Sequence, residues 1–397
     1  MILSKDNKLT LSMGVLCFQG FGLRIFEGVF SGAIVLWLVV LAILNFKYIK
    51  RTPFGYWVKM LVVVLLYLVF STLKGATIVP YLIVAWLSAA VVLTPYYLGQ
   101  ADFVQVMRRL TKFCMYYSLC HVPIMILLKG ALTTTPFGMH PKTFLYLFYF
   151  NNGEGFAGLN RIQGFCWEPS CWNLLLNLNL AFTLYFKEKK PILIASIFAI
   201  VTIMATTGLV VMAVVIGLYY ITNMKRKQIL QTSLVLALFV ALVGPIIYSN
   251  VSEKLETGSG NSRMGDFAIA AAVIKEYPLV GIDIDNLTKN MLVIRARDEA
   301  WTSDGDYEGY MDQGMVNSFA ALFVEWGVPI TLLIFFLMLK SPLIEDKKFK
   351  LLYMTAVLCV LMGTPIARTG FFYMYALSTF LFYGRMNKQR TINTSIQ

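Results

Sequence analysis

The sequence predicts an all-α polytopic integral membrane protein of about twelve transmembrane helices, and three observations predict it. The chain is 58% hydrophobic with only 14% charged residues, where a soluble domain carries about 25% charged residues. Its mean hydropathy is +0.68, and apolar runs long enough to cross a bilayer, about 20 residues each, recur along its length. Lysines and arginines gather in alternate connections between those runs, as the positive-inside bias requires.

The runs fall at 9–23, 29–46, 57–73, 76–97, 113–129, 166–186, 191–205, 207–223, 229–248, 316–339, 351–367 and 370–384. The first is interrupted by Gly14, Gln19 and Gly20, and is followed by Arg24 and Glu27 without a small-residue cleavage site, so no signal peptide is expected. The seventh and eighth are separated only by a turn around Thr206 to Gly208. With the amino terminus inside, the inner segments are 1–8, 47–59, 98–112, 187–190, 224–228, 340–350 and 385–397. They hold 22 of the 34 basic residues but only 5 of the 21 acids. The net charge of +13 is therefore topogenic, nucleic acid is excluded as a partner, and both termini are expected in the cytoplasm. Residues 1–397 read as one transmembrane domain with two outer loops, 130–165 and 249–315.

The first outer loop contains an aromatic run, Phe144 to Phe150 (FLYLFYF), which suits an interfacial helix, a re-entrant segment or a helix packed over the bundle. The second loop is long enough to be functional and carries 12 acids and 6 bases. Within it, 266–275 reads as a short helix, 277–285 (YPLVGIDID) as a Pro/Gly turn, and 298–312 as a solvated acidic lid.

Cations on the outer side run against the topogenic bias and need a reason. Arg161 and Arg368 are the most informative, because each lies near the outer end of a predicted helix, and with Arg263 they offer the permanent charge and planar fork that match a diphosphate. Glu168 stands seven residues after Arg161, beside Pro169 at the start of a helix, where a carboxylate can pair with an arginine or take a proton from a sugar hydroxyl. Glu325 lies inside a predicted span next to Gly327 and Pro329, which should kink it; an acid at that depth faces the bundle interior or a wet cavity. His121 reads as a core histidine, and His140 lies in the first outer loop. Walker, GxSxG and HExxH motifs are all missing. Two acid pairs, Asp283/Asp285 and Asp304/Asp306, have DxD spacing, but such pairs arise readily in so acidic a loop, and no metal or other cofactor is expected. The six cysteines lie in or beside apolar runs and read as packing residues.

Three blocks in this order resemble the bacterial O-antigen polymerase and ligase superfamily, the Wzy-type polymerases and their relatives. They are Arg161 to Pro169 (RIQGFCWEP), Arg263 to Asp266 (RMGD) with the turn YPLVGID, and Asn317 to Gly327 (NSFAALFVEWG). The likeness covers roughly residues 155–335. It implies a GT-C-like, inverting, metal-independent glycosyltransferase of the bacterial inner (plasma) membrane, acting on undecaprenyl-diphosphate-linked glycans as donor and acceptor. Membrane lipids and a chain-length regulator protein are the further partners it implies. Arg161 and Arg263 would then be catalytic contacts to the diphosphate and Glu168 the substitute base, with Gly164, Asn317, Arg368 and Glu325 binding substrate. Ligases of the family often carry a histidine just before the asparagine; here that position is Val316, so a histidine-base mechanism does not carry over. The rival expectations are a ligase and, in another class, a flippase or transporter of lipid-linked oligosaccharide. A transporter should show internal inverted repeats, and the sequence shows none.

Overall fold

The computed structural model describes residues 4–21, 33–75, 80–135, 140–154, 159–166, 168–223, 258–283, 315 and 317–383. Among them are twelve α-helices: α1 (Lys5–Phe21), α2 (Ala33–Ile49), α3 (Phe54–Leu73), α4 (Pro80–Tyr97), α5 (Phe103–Leu127), α6 (Pro169–Tyr185), α7 (Lys190–Thr202), α8 (Thr206–Asn223), α9 (Gly258–Glu276), α10 (Ser318–Leu339), α11 (Lys347–Leu361) and α12 (Gly370–Phe382). Helices α3, α4, α5, α8 and α10 are long and apolar enough to cross a membrane, and α2, α7 and α12 are shorter apolar helices, which is compatible with a multi-pass membrane protein. The expected run at 229–248 and the acidic stretch 298–312 lie outside the described residues.

Local chemistry sets several helix starts. Asp102 accepts from the Val104 amide at 2.8 Å ahead of α5, and Asp346 from the Phe349 amide at 2.7 Å ahead of α11. Thr369 does the same for Phe372 ahead of α12, so the unpaired amides of each first turn find side-chain acceptors. Before α6, Pro169 occupies a first-turn position, where its missing N–H costs no hydrogen bond.

Helix α6 is the core of the bundle. Every residue from Pro169 to Leu184 except Ser170 is buried, as expected of a helix that is largely apolar all round. It packs on α5, α7, α8 and α11. Its few polar side chains tie those neighbours together: Trp172 Nε1 donates to Ser118 Oγ at 2.6 Å, Asn179 Nδ2 to Ser196 Oγ at 2.9 Å, and Asn177 Nδ2 to the Gly208 carbonyl at 3.1 Å.

The two ends of the bundle differ in chemistry. At one end Glu188 binds Arg108 at 2.7 Å and Lys112 at 3.0 Å, and Arg109 binds Asp6 at 2.8 Å. Lys59 donates there to the Tyr383 carbonyl at 2.6 Å, and Lys348 to the Thr222 carbonyl at 3.5 Å. The inner-reading segments 1–8 and 187–190 thus both meet 98–112, while Lys59 and Lys348 reach the ends of α12 and α8.

Among its described residues the segment 130–165 has no α-helix, so the two helical readings of the aromatic run give way to strands. It forms a four-stranded antiparallel sheet, β1 (Thr133–Thr134), β2 (Lys142–Phe144), β3 (Phe148–Glu154) and β4 (Asn160–Ile162), in that spatial order. The aromatic run folds as a hairpin because Leu145 and Tyr146 both take positive φ, +54° and +55°, and reverse the chain between β2 and β3. An all-α description therefore omits this small cap.

Candidate functional site

The second and third sequence blocks dock onto each other. Asn317 caps α10 through hydrogen bonds from Phe319 N at 3.0 Å and Ala320 N at 3.2 Å, while its own amide donates to Asp266 Oδ2 at 2.7 Å. Residues 277–281, which follow α9, pack on a break in α10 at Gly327, where φ is +68°. Val328 N donates to the Pro278 carbonyl, and Ile282 N to the Val324 carbonyl, both at 2.8 Å. Two glycines make this approach possible. A Cβ at Gly281 would stand 2.2 Å from the Val324 oxygen, and one at Gly327 would stand 2.6 Å from the Leu279 carbonyl. Both positions also have positive φ, which glycine alone adopts without cost.

Beside this junction lies a half-buried charge cluster. Arg368, just before α12, grips Glu325 with two hydrogen bonds, Nη2 to Oε1 at 3.1 Å and Nε to Oε2 at 3.3 Å. Lys74, at the end of α3, donates to the Glu325 carbonyl and lies 4.4 Å from the Phe70 ring centre and 5.3 Å from that of Trp326. Burial pushes the Lys74 amine down to about 8, although Glu325 and the buried Asp283 hold it up. Beneath it Trp326 stacks on Trp86 at 6.0 Å and donates to Tyr373 Oη at 3.0 Å. Five separate parts of the chain thus supply two cations, two carboxylates and an aromatic floor. Lys74 and Lys59 stand at opposite ends of α3, so this cluster is remote from the Glu188 end.

The first block folds compactly over α6. Residue alternation on β4 buries Asn160 and Ile162 and turns Arg161 to the other face, half-exposed. The Arg161 Nε is buried with no hydrogen-bond partner among the described residues. Gly164, at φ +63°, lies against the Trp172 indole, which an added Cβ would meet at 2.2 Å; this packing accounts for the glycine. Glu168 is the N-cap of α6, and its Oε1 accepts from Ser170 Oγ and, at 3.9 Å, from Cys171 Sγ. Leu16 and Phe18 of α1 border both places: Leu16 packs on Gly370, two residues after Arg368, and Phe18 stacks on Trp172 at 6.1 Å.

Of the residues singled out from sequence, the structure joins Glu325 to Arg368 and places Asn317 against α9. Arg263 stands one turn before Asp266 on α9, and its side chain lies outside the described residues, as do Asp285, Asp304 and Asp306. His121 fits the core reading: its Nδ1 donates to the Tyr117 carbonyl at 2.9 Å. All six cysteines are free, and no group of three metal-ligating side chains occurs among the described residues. Lys74 was not singled out from the sequence, because 251 positions separate it from Glu325 and no periodicity joins them. Asp266 showed only as the last residue of RMGD.

These features define a helical bundle, with helices able to cross a membrane, that holds a paired charge cluster near the ends of α3 and α12. No family model, curated protein or solved structure matches the chain.

Proposed function

We propose that the protein is a bacterial inner-membrane glycosyltransferase that polymerises undecaprenyl-diphosphate-linked oligosaccharide units at the outer face of the membrane. The observation that carries this reading is the docking of YPLVGID on the break in NSFAALFVEWG, with Lys74, Glu325 and Arg368 beside it. Charges are costly in a bilayer and persist where they serve a function. Lys74, Arg368 and Arg161 supply the cations that a diphosphate leaving group requires, and Glu325 holds the Arg368 fork in place.

In the reaction, an acceptor sugar hydroxyl attacks the anomeric carbon of the donor glycan. The bond from that carbon to the phosphate oxygen breaks with inversion, and undecaprenyl diphosphate departs with the electron pair. Glu168 takes the hydroxyl proton, its carboxylate oriented by Ser170 and Cys171. Arg161 stabilises the charge that develops on the diphosphate, where donors accelerate the step most.

The test is the set of lipid-linked products that accumulates when the gene is removed. Single capped units support a polymerase; long unattached chains indicate a ligase, and units trapped on the cytoplasmic leaflet a flippase. Arg161→Ala should then cost at least about tenfold in turnover, equivalent to about 1.4 kcal/mol, with partial rescue by lysine. Because the Arg161 Nε has no partner to lose, its thermal unfolding should stay near that of the parent protein. Wild-type polymer ladders from Arg161→Ala would remove Arg161 from the site.

A further inference from the structure

We infer that the β2–β3 hairpin is a re-entrant anchor whose tip, Leu145 to Leu147, lies among the acyl chains near the middle of the bilayer. The inference rests on the membrane reading above and goes beyond it.

Depth is the first argument. The Tyr117 hydroxyl donates to the Leu147 carbonyl, and the Tyr117 ring stacks on Phe148 at 5.5 Å. His121, one turn further along α5, packs on Phe148 at 4.9 Å and on Phe150 at 5.2 Å. The hairpin therefore descends α5 from His121 toward Tyr117. Tyr117 stands ten residues before Leu127, the end of α5, which is about 15 Å along the axis. It is only five residues beyond Lys112, which binds Glu188 at the other end of the bundle. The tip is thus beside the middle of the helix, and side chains on a helix lean toward its N-terminus, which sets the Tyr117 hydroxyl deeper still.

The second argument is the turn itself. Positive φ at both central residues is the signature of a type I′ turn, for which water-exposed hairpins use Asn-Gly. Here the residues are Leu145 and Tyr146, an aliphatic and an aromatic side chain in a conformation that costs roughly 1–2 kcal/mol per residue. They are 69% and 53% exposed, Leu147 is 58% exposed, and the exposed surface continues onto Phe113, whose ring stacks on Tyr117 at 6.0 Å.

The third is hydrogen bonding. Irregular backbone in hydrocarbon must satisfy its own polar groups. The Phe144 carbonyl accepts from Leu147 N at 3.1 Å, the Tyr146 carbonyl from Tyr149 Oη at 2.9 Å, and the Leu147 carbonyl from Tyr117 Oη. Two tyrosine hydroxyls thus stand where water would serve an exposed turn.

The test is spin-label accessibility in lipid nanodiscs, with the more exposed cysteines, Cys120 and Cys359, changed to serine. Labels go singly at positions 145 and 146, with position 113 on α5 and position 133 on β1 as references. The expected result is that labels at 145 and 146 collide with oxygen in preference to a water-soluble nickel chelate, as the label at 113 does, while the label at 133 prefers the chelate. Chelate access at 145 and 146 would overturn the inference and leave the membrane reading intact, since position 113 reports on that separately. Shielding from both reagents would also overturn it and point to a protein partner over the tip. A second measurement uses Leu145→Asn with Tyr146→Gly, which should stabilise a turn in water and lower thermal stability if the tip lies in lipid.

Discussion

Lys74 is a cation held at the edge of its charged state. Burial lowers its amine to about 8 from 10.5, against the pull of Glu325 and Asp283. A folded value below the unfolded one means that the folded chain binds fewer protons between those two limits. The contribution of Lys74 to stability therefore improves as pH rises through that window, while its use as a cation declines. The kcat/KM of the proposed reaction should fall on the alkaline side with an apparent pKa of about 8. Lys74→Arg, charged at every accessible pH, should move that limb upward. An alkaline limb unchanged in Lys74→Arg would assign the titration to another group.

Among the elements, the contact between 277–281 and the break in α10 has the least tolerance. Any side chain at Gly281 or Gly327 meets backbone, which cannot rotate away, and each position adds the cost of positive φ. Gly281→Ala and Gly327→Ala should each lose at least about 2 kcal/mol and release the turn from α10. Thermal unfolding in detergent measures the loss, and protease cleavage within 277–283 measures the release. Gly55, which has open space around it, is the control: Gly55→Ala should unfold no earlier than the parent. A tolerated Gly281→Ala would mean that the turn does not seat on α10 in the working protein.

Across the whole molecule, the two ends carry opposite burdens. One gathers Glu188, Arg108 and Lys112, where burial raises the Glu188 carboxyl but its hydrogen bonds to both cations outweigh this and hold it below the usual range. A depressed carboxyl stabilises the fold above its unfolded value and loses that effect as pH falls through the folded value. Glu188→Gln should therefore cost about 1 kcal/mol at neutral pH, and the difference from the parent should vanish in acid, as read by thermal unfolding across pH. The other end holds Lys74, Glu325 and Arg368. Reporter fusions at Lys189 and Gly258 should report opposite sides of the membrane; agreement between them would collapse the assignment of sides, and with it the outer placement of Arg161.

What the sequence by itself determined is what short-range chemistry decides. Hydropathy marked the helices, a proline after Glu168 marked the start of α6, and Gly327 beside Pro329 marked the break in α10. Each of these depends on a few neighbouring residues and on the cost of leaving backbone groups unpaired. A re-entrant segment was among the readings of 144–150, but strands were not, because an unbroken aromatic and aliphatic run carries no turn signal; only packing on Tyr117 and His121 selects a reversal at Leu145 and Tyr146. Tertiary structure alone decided that Arg368 meets Glu325, that Lys74 joins them and that Asp266 holds Asn317. Those partners come from helices far apart in the chain. Their meeting is set by how the bundle packs around α6, which no local pattern encodes.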